Sequence, residues 1–354
     1  MAVTMKDVAE RAGVSKSTVS QYLNKRFNYM SNSTRMTIEK AIEELGYRPN
    51  LLARSLTQKT TNLVAIVAAN LSSTFTTELI AAVEEIMAAK GIDVIVASTG
   101  DDPKKEKAQL ESLITRQVDG VIVFPTIDNT DFYNGLVKRK YPLVFVDREI
   151  TEVAVNTVLL DNETASKMAT EELIKNGHTK IGIISFPLGK DDSITTRKER
   201  LNGYKKTLLK HNLTIDKDYI KIGNQGEMNR CLTELLESES APTAVIATND
   251  MLLESLLLWL KTNQVKIPSE LSIVGIDDVS FASFYHVGIT TVSQPIKQIG
   301  KKAAELLLEQ INNQGDSLDS ETYKYLPTLN IRESVSKHDG DIRVLQKSSE
   351  EDKS

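Results

Sequence analysis

The sequence predicts an all-α helix-turn-helix head joined to a larger α/β body built as two doubly wound lobes. Three observations carry this. Residues 1–60 read as three short amphipathic helices punctuated by glycine turns and hydroxyl caps. From 61 to 335, short apolar runs alternate with amphipathic helical stretches, the pattern of parallel sheets covered by helices. The charge also splits: the chain carries -5 overall, yet residues 1–60 carry +5 and the remainder -10. A basic head on an acidic body suggests an anionic partner for the head alone. Chance clustering accounts for the split equally well, so the motifs must decide.

A length of 354 residues exceeds one ordinary core. With 40% hydrophobic and 26% charged residues the chain reads as globular. It has no apolar run of about 18 residues, and residues 1–13 lack the apolar segment of a signal peptide. No membrane contact and a cytoplasmic location are therefore expected. The single cysteine, Cys231, excludes an internal disulfide and a cysteine-rich zinc site, and the four histidines have no metal-ligand spacing. Neither metal nor cofactor is expected.

In the head, Thr4 stands three residues before Asp7, a cap followed by an acidic first turn. Val8, Ala9 and Ala12 form an apolar stripe, and Gly13 supplies a turn without a Cβ. Ser15 caps the next helix, whose inner face is Val19, Tyr22 and Leu23 and whose outer face shows Lys16, Ser17, Ser20 and Gln21. A third helix starts after Ser31 or Ser33, buries Ile38, Ala41, Ile42 and Leu45, and ends at Gly46. A three-helix bundle with no DNA role fits this periodicity too.

The literal string is more specific. MKDVAERAGVSKSTVSQYLN, then TIEKAIEELGYRPN and LLARSL, resembles the LacI/GalR repressor family, densely and in order across the head. The resemblance implies that the helix from Ser15 to Leu23 reads the major groove. Lys16, Ser17 and Gln21 fill its base-reading positions, and Thr4, Ser15 and Thr18 match phosphate contacts. Residues about 49–57 resemble a hinge helix that folds on operator DNA. There Leu56 matches the wedge into the central base step, and Ala53 the small residue that lets two hinges approach. Gln21 stands where the family usually has Arg, so adenine rather than guanine is expected opposite it. In the loop KRFNYM, Lys25, Arg26 and Tyr29 either touch phosphates or form a solvated loop packed by Phe27.

In the body, the strand candidates are Leu63–Ala69, Ile92–Ala97, Gly120–Phe124, Leu143–Val146, Val155–Leu160, Lys180–Ser185, Ala244–Ala247 and Ser272–Ile276. Helical stretches such as Phe75–Lys90 and Lys104–Gln117 fall between them. Ligand is expected in the crevice beyond the strand carboxyl ends. No GxGxxG follows a strand, and neither GxxxxGK[ST] nor GxSxG occurs. Pairs such as Asp101–Asp102 and Asp277–Asp278 read as loop or cap residues with no partnering base. Catalysis is not expected.

The LacI/GalR resemblance continues through DPKKEKAQLESLITRQVDGVIVFPT, VFVDREI, LLDNETASKMATEELIKNGHTKIGII, RLNGY, ATNDMLL, IVGIDDVSFASF, TTVSQP and LNIRES. It implies two lobes similar to periplasmic sugar-binding proteins. The chain would cross to lobe two near Asp161–Asn162 and return near Gln294, and a strand within Tyr325–Ile331 would rejoin lobe two. The implied effector contacts are Asp147 and Arg148 in lobe one, Arg200, Asn249 and Asp277 in lobe two, and Gln294 at the crossing. Phe75 and Phe124 are apolar walls or simply core aromatics, and Asp250 reads as the cap of the helix that follows it. PLGKDDSITTRKERLNGY adds Lys190 and Arg197 near Arg200. It resembles, with VFVDREI and VLLDNE, repressors of sugar-acid catabolism of the ketodeoxygluconate type. Three cations at one mouth suit a carboxylate or phosphate, unless they are a solvated face. A sugar acid or sugar phosphate is thus expected to bind better than its neutral parent sugar.

Residues 336–354 lack heptads and read as a disordered tail, not a tetramerising helix. A homodimer on a palindromic operator is the default. The expected function is a DNA-binding transcription regulator controlled by a small metabolite. Control by a protein docking on the body is one alternative; a sugar-binding module without DNA function is the other.

Overall fold

The computed structural model describes residues 3–47, 60–313 and 320–338. The expected hinge with Ala53 and Leu56 lies outside the described residues, as does the tail from 339. Contacts divide the chain into Met1–Thr61 and Asn62–Ser354.

The head consists of α1 (Met5–Ala12), α2 (Lys16–Leu23) and α3 (Asn32–Leu45), each started by a hydroxyl cap. Thr4 Oγ1 accepts the Asp7 N–H while Asp7 accepts the Thr4 N–H at 2.7 Å, a reciprocal capping box. Ser15 accepts from Thr18 N–H at 3.1 Å, and Ser31 from Thr34 N–H at 3.2 Å, so Ser31 rather than Ser33 begins α3. Gly13, at φ 65°, ends α1 in the left-handed region that strains other residues. Val8, Val19 and Ile38 are fully buried where the three helices meet. Phe27 packs edge-on against Tyr22, 5.9 Å between centroids, and beneath the Arg35 guanidinium at 4.3 Å. The loop is therefore anchored by Phe27, with Lys25 and Arg26 exposed.

Among the described residues the body holds two six-stranded sheets. Sheet one comprises β1 (Leu63–Ala68), β2 (Asp93–Ser98), β3 (Gly120–Val123), β4 (Leu143–Val146), β5 (Asn156–Leu160) and β11 (Thr322–Tyr325). Their order is β11-β5-β4-β3-β1-β2, parallel throughout. Sheet two comprises β6 (Ile181–Ser185), β7 (Ile220–Ile222), β8 (Ala244–Ala247), β9 (Ser272–Ile276), β10 (Thr290–Ser293) and β12 (Thr328–Asn330). The order is β12-β10-β9-β8-β6-β7, with β12 alone antiparallel. Val64–Ala68 and Ala244–Ala247 are wholly buried, because helices cover both faces of each sheet.

Among the described residues three crossings join the lobes. After β5, helix α7 (Asn162–Lys175) packs on sheet two; after β10, helix α12 (Ile296–Asn312) packs back on β3, β4 and α4 (Thr74–Ala88). The third carries the strand expected within Tyr325–Ile331: β12 rejoins lobe two, and just before it β11, which the sequence reading missed, adds to sheet one. The break between them falls at Leu326–Pro327, where Leu326 is exposed and proline cannot donate to a ladder. The crossings leave from β5, β11, β10 and β12, so the opposite sheet edges, β1–β2 and β6–β7, border the mouth of the cleft.

Helix α8 (Thr195–Lys210) lies close against α7 because Gly203 has no side chain; a Cβ there would strike the Glu163 carbonyl oxygen. Residues 336–338, expected to belong to a disordered tail, are instead bonded to lobe two. Ser336 N–H donates to Ser272 Oγ at 3.0 Å and His338 N–H to Asn176 O at 2.8 Å, tying residues 336–338 to lobe two.

Candidate functional site

On the head, Lys16, Ser17 and Gln21 lie exposed on α2, opposite the buried Val19. Ser15 Oγ bonds Ser17 Oγ at 2.6 Å and Thr18 Oγ1 at 2.8 Å. These hydroxyls crown the N-terminus of α2, where free N–H groups favour a phosphate. Thr4 is exposed at the N-terminus of α1. Together these groups form a polar face able to position on phosphates and present Lys16, Ser17 and Gln21 to base edges.

In the body a cavity of about 590 Å³ opens between the lobes at the carboxyl ends of both sheets. Of the ten effector candidates, nine line it: Phe75, Phe124, Asp147, Arg148, Arg197, Arg200, Asn249, Asp277 and Gln294. Lys190 does not. It sits exposed in the 3₁₀ turn Lys190–Asp192, so only two of the three expected cations of that segment belong to the cleft.

Asp147 and Asp277 occupy matching places, one residue beyond β4 and one beyond β9. Both adopt left-handed backbone, φ 67° and 80°. Burial raises the pKa of each, and pushes Asp277 to about 6 against the opposing pull of Arg200. Gln294 Nε2 donates to Asp277 Oδ1 at 2.5 Å, leaving Gln294 Oε1 buried without a hydrogen-bond partner among the described residues. Arg200 is fixed within lobe two. Its Nε donates to Asn162 Oδ1 at 2.8 Å, its Nη1 donates to the Thr248 carbonyl and lies 4.0 Å from Asp277. Asn249 Oδ1 is spent accepting the Leu252 N–H at 3.0 Å as the cap of α10 (Asp250–Thr262), so the amide NH₂ is what it offers a ligand. Phe75 and Phe124 meet edge-to-face at 6.3 Å between centroids and form one apolar wall.

Several groups were missed in the sequence. Phe186, the turn Asn224–Gly226 and Asp101 also line the cavity. Asp101 is the consequential one. Asp102 is indeed the cap of α5 (Pro103–Thr115), but its neighbour Asp101 accepts from Arg197 Nη2 at 2.8 Å and pairs with Arg148 Nη2 at 2.7 Å. Burial would raise Asp101, yet the two guanidiniums outweigh it and hold the carboxyl below the usual range. Helix α10 is capped by Asn249, not by Asp250 as expected; the Asp250 carboxylate instead reaches the other lobe. It accepts from Thr74 N–H at 2.5 Å and Ser73 Oγ at 3.0 Å at the start of α4. Two polar clasps, Asp101–Arg197 and Asp250–Ser73/Thr74, thus span the cleft on its mouth side.

Residues 4–50 match the bacterial regulatory protein model of the lacI family, and residues 60–325 match the model for periplasmic binding proteins and the sugar-binding domain of the LacI family. The chain is 53% identical over 339 residues to the probable HTH-type transcriptional regulator EndR of Paenibacillus polymyxa, covering 95% of this chain and 99% of the relative. Among solved structures, a complex of the transcriptional regulator CelR with cellobiose is 27% identical with a TM-score of 0.69, covering 94% of this chain and 99% of that one. The lac repressor dimer bound to operator and the anti-inducer ONPF shares the fold, with a TM-score of 0.82, 23% identity, and coverage of 95% and 100%.

Proposed function

Because the chain belongs to the LacI family of bacterial regulatory proteins, we propose that a neutral, hydroxyl-rich sugar is its effector and that cleft occupancy sets operator affinity. The chain is a DNA-binding transcriptional regulator under small-molecule control, not an enzyme. In this reading Lys16, Ser17 and Gln21 read bases, Thr4, Ser15 and Thr18 hold phosphates, and the acting form is a homodimer on a palindromic operator in the cytoplasm. Ala53 and Leu56 keep the hinge roles the resemblance implies.

One observation carries the choice of a neutral sugar. The cleft holds three guanidiniums, Arg148, Arg197 and Arg200, and three carboxylates, Asp101, Asp147 and Asp277. The basic cluster that favoured an acidic ligand is thus matched within the protein. Buried acceptors on Asp147, Asp277 and Gln294 suit donated sugar hydroxyls, and the Phe75–Phe124 wall suits a sugar face. The similar regulator solved with cellobiose supports the same class. Matched titrations of glucose, cellobiose and their aldonic acids test it: the neutral member of the bound pair should win, and a tighter acid would overturn the reading.

Asp277 adds a pH signature. Its folded pKa is raised from 3.8 to about 6, so its contribution to stability is full below the unfolded value and is lost as pH rises through about 6. The shift corresponds to roughly 3 kcal/mol. A sugar hydroxyl donating to the ionised carboxylate offsets that cost. Effector affinity should therefore rise several-fold between about pH 5 and pH 7.5 by calorimetry, with proton release near pH 6. Flat affinity across this window would remove Asp277 from the contact set.

A further inference from the structure

We propose that Asp101 is a built-in anion: it fills a subsite formed by Arg148 and Arg197, closes the cleft to carboxylate ligands, and so determines effector charge. This rests on the cleft being the effector site. Asp101 is hydrogen-bonded by Arg197 and ion-paired with Arg148. One oxygen of Asp101 faces Arg148 Nη2 at 2.7 Å and the other faces Arg197 Nη2 at 2.8 Å. The two guanidiniums come from different lobes, Arg148 from the loop after β4 and Arg197 from α8. Arg197 is held in place by donating to the Pro187 carbonyl at 2.7 Å and by stacking over Phe186 at 5.6 Å.

The subsite is built and has unused capacity. Arg148 is 5% exposed, and its Nε and Nη1 have no hydrogen-bond partner among the described residues. Among the described residues, its only carboxylate contact besides Asp101 is Asp147, 3.6 Å from Nε. Burying a guanidinium without an anion is costly, so this pair demands a negative charge from somewhere. Asp101 supplies it from a left-handed turn, with φ 68° at Gly100 and 62° at Asp101. A ligand carboxylate entering the same space would meet Asp101 at like charge, whereas a neutral hydroxyl would not. Asp101 also spans the mouth, so the charge filter and the lobe clasp are one residue.

Emptying the subsite should create an anion site where none was open. The test uses the full-length protein, wild type against Asp101→Ala and Asp101→Asn, with sodium formate as probe and sodium chloride at equal ionic strength as control. Thermal unfolding and calorimetry are the readouts. Asp101→Ala should melt lower than wild type, and formate should restore it saturably, binding at least about tenfold more tightly than to wild type. Asp101→Asn keeps the shape and loses the charge, so it should gain formate binding too and decides the matter if the alanine variant fails to fold. Equal formate effects on all three proteins, or none on either variant, would overturn the proposal. A neutral sugar that alters operator binding while formate rescues neither variant would keep the effector reading and discard the anion subsite. Formate rescue with no response to any sugar would do the reverse.

Discussion

A fragment spanning residues 62–354 should bind effector as the full chain does and lose operator recognition altogether. Specific binding by such regulators exceeds non-specific binding by roughly 10³–10⁷-fold, and every candidate DNA contact, from Thr4 to Leu56, lies in the deleted part. The charge argues the same way. Residues 1–60 carry +5 while the rest carries -10, so the fragment is an acidic body without the basic surface that releases counterions. The full chain's operator affinity should accordingly fall steeply between about 50 and 200 mM salt. A gel-shift series with the two proteins across that range makes the comparison. Operator shifted by the fragment would detach DNA recognition from the head.

Arg200→Ala should produce the largest loss in the body. The side chain is 6% exposed, donates to Asn162 and to the Thr248 carbonyl, and lies 4.0 Å from the Asp277 carboxylate. Truncation leaves a buried carboxylate without its cation, a change typically costing about 3–5 kcal/mol. It also removes a donor from the ligand side of the cleft. Urea unfolding of the body should show the stability loss, and the response to effector should disappear. Arg200→Lys retains the charge but loses the planar fork, so it should recover much of the stability and little of the affinity. Wild-type stability and effector affinity in Arg200→Ala would show that this guanidinium supports neither.

The sequence was most legible where local chemistry alone decides. Thr4, Ser15 and Gly13 announce helix ends through capping and positive φ, and all three act as expected. Long apolar runs such as Leu143–Val146 and Ser272–Ile276 marked buried strands to the residue. Short edge strands were not legible: β7 spans three residues, and β11, four residues just ahead of β12, was missed. The cleft followed the same division. Residues at strand ends, such as Asp147 and Asp277, were found from positions matched to the LacI/GalR resemblance, and the topology then brings those strand ends together. Asp101 was passed over as a loop acid because its meaning depends on Arg148, 47 positions away, and Arg197, 96 away. Lys190 failed for the converse reason. Sequence proximity to Arg200 suggested a shared mouth, and an intervening turn sends it to solvent.

Asp101–Arg197 and Asp250–Ser73/Thr74 both join one lobe to the other, so a ligand that alters lobe closure must work against or with these contacts. Coupling of about 1–3 kcal/mol is typical of such linked sites. It corresponds to a change in operator affinity of roughly 5–150-fold. The central claim is that the cleft and the head are linked, and reciprocity allows a direct check. Operator affinity of the full chain should be measured by fluorescence anisotropy with and without a saturating sugar, chosen because it raises the melting temperature of the 62–354 fragment. The account predicts a shift of at least about fivefold, matched by an equal shift in sugar affinity when operator is present. A sugar that saturates the cleft and leaves operator affinity unchanged would contradict it.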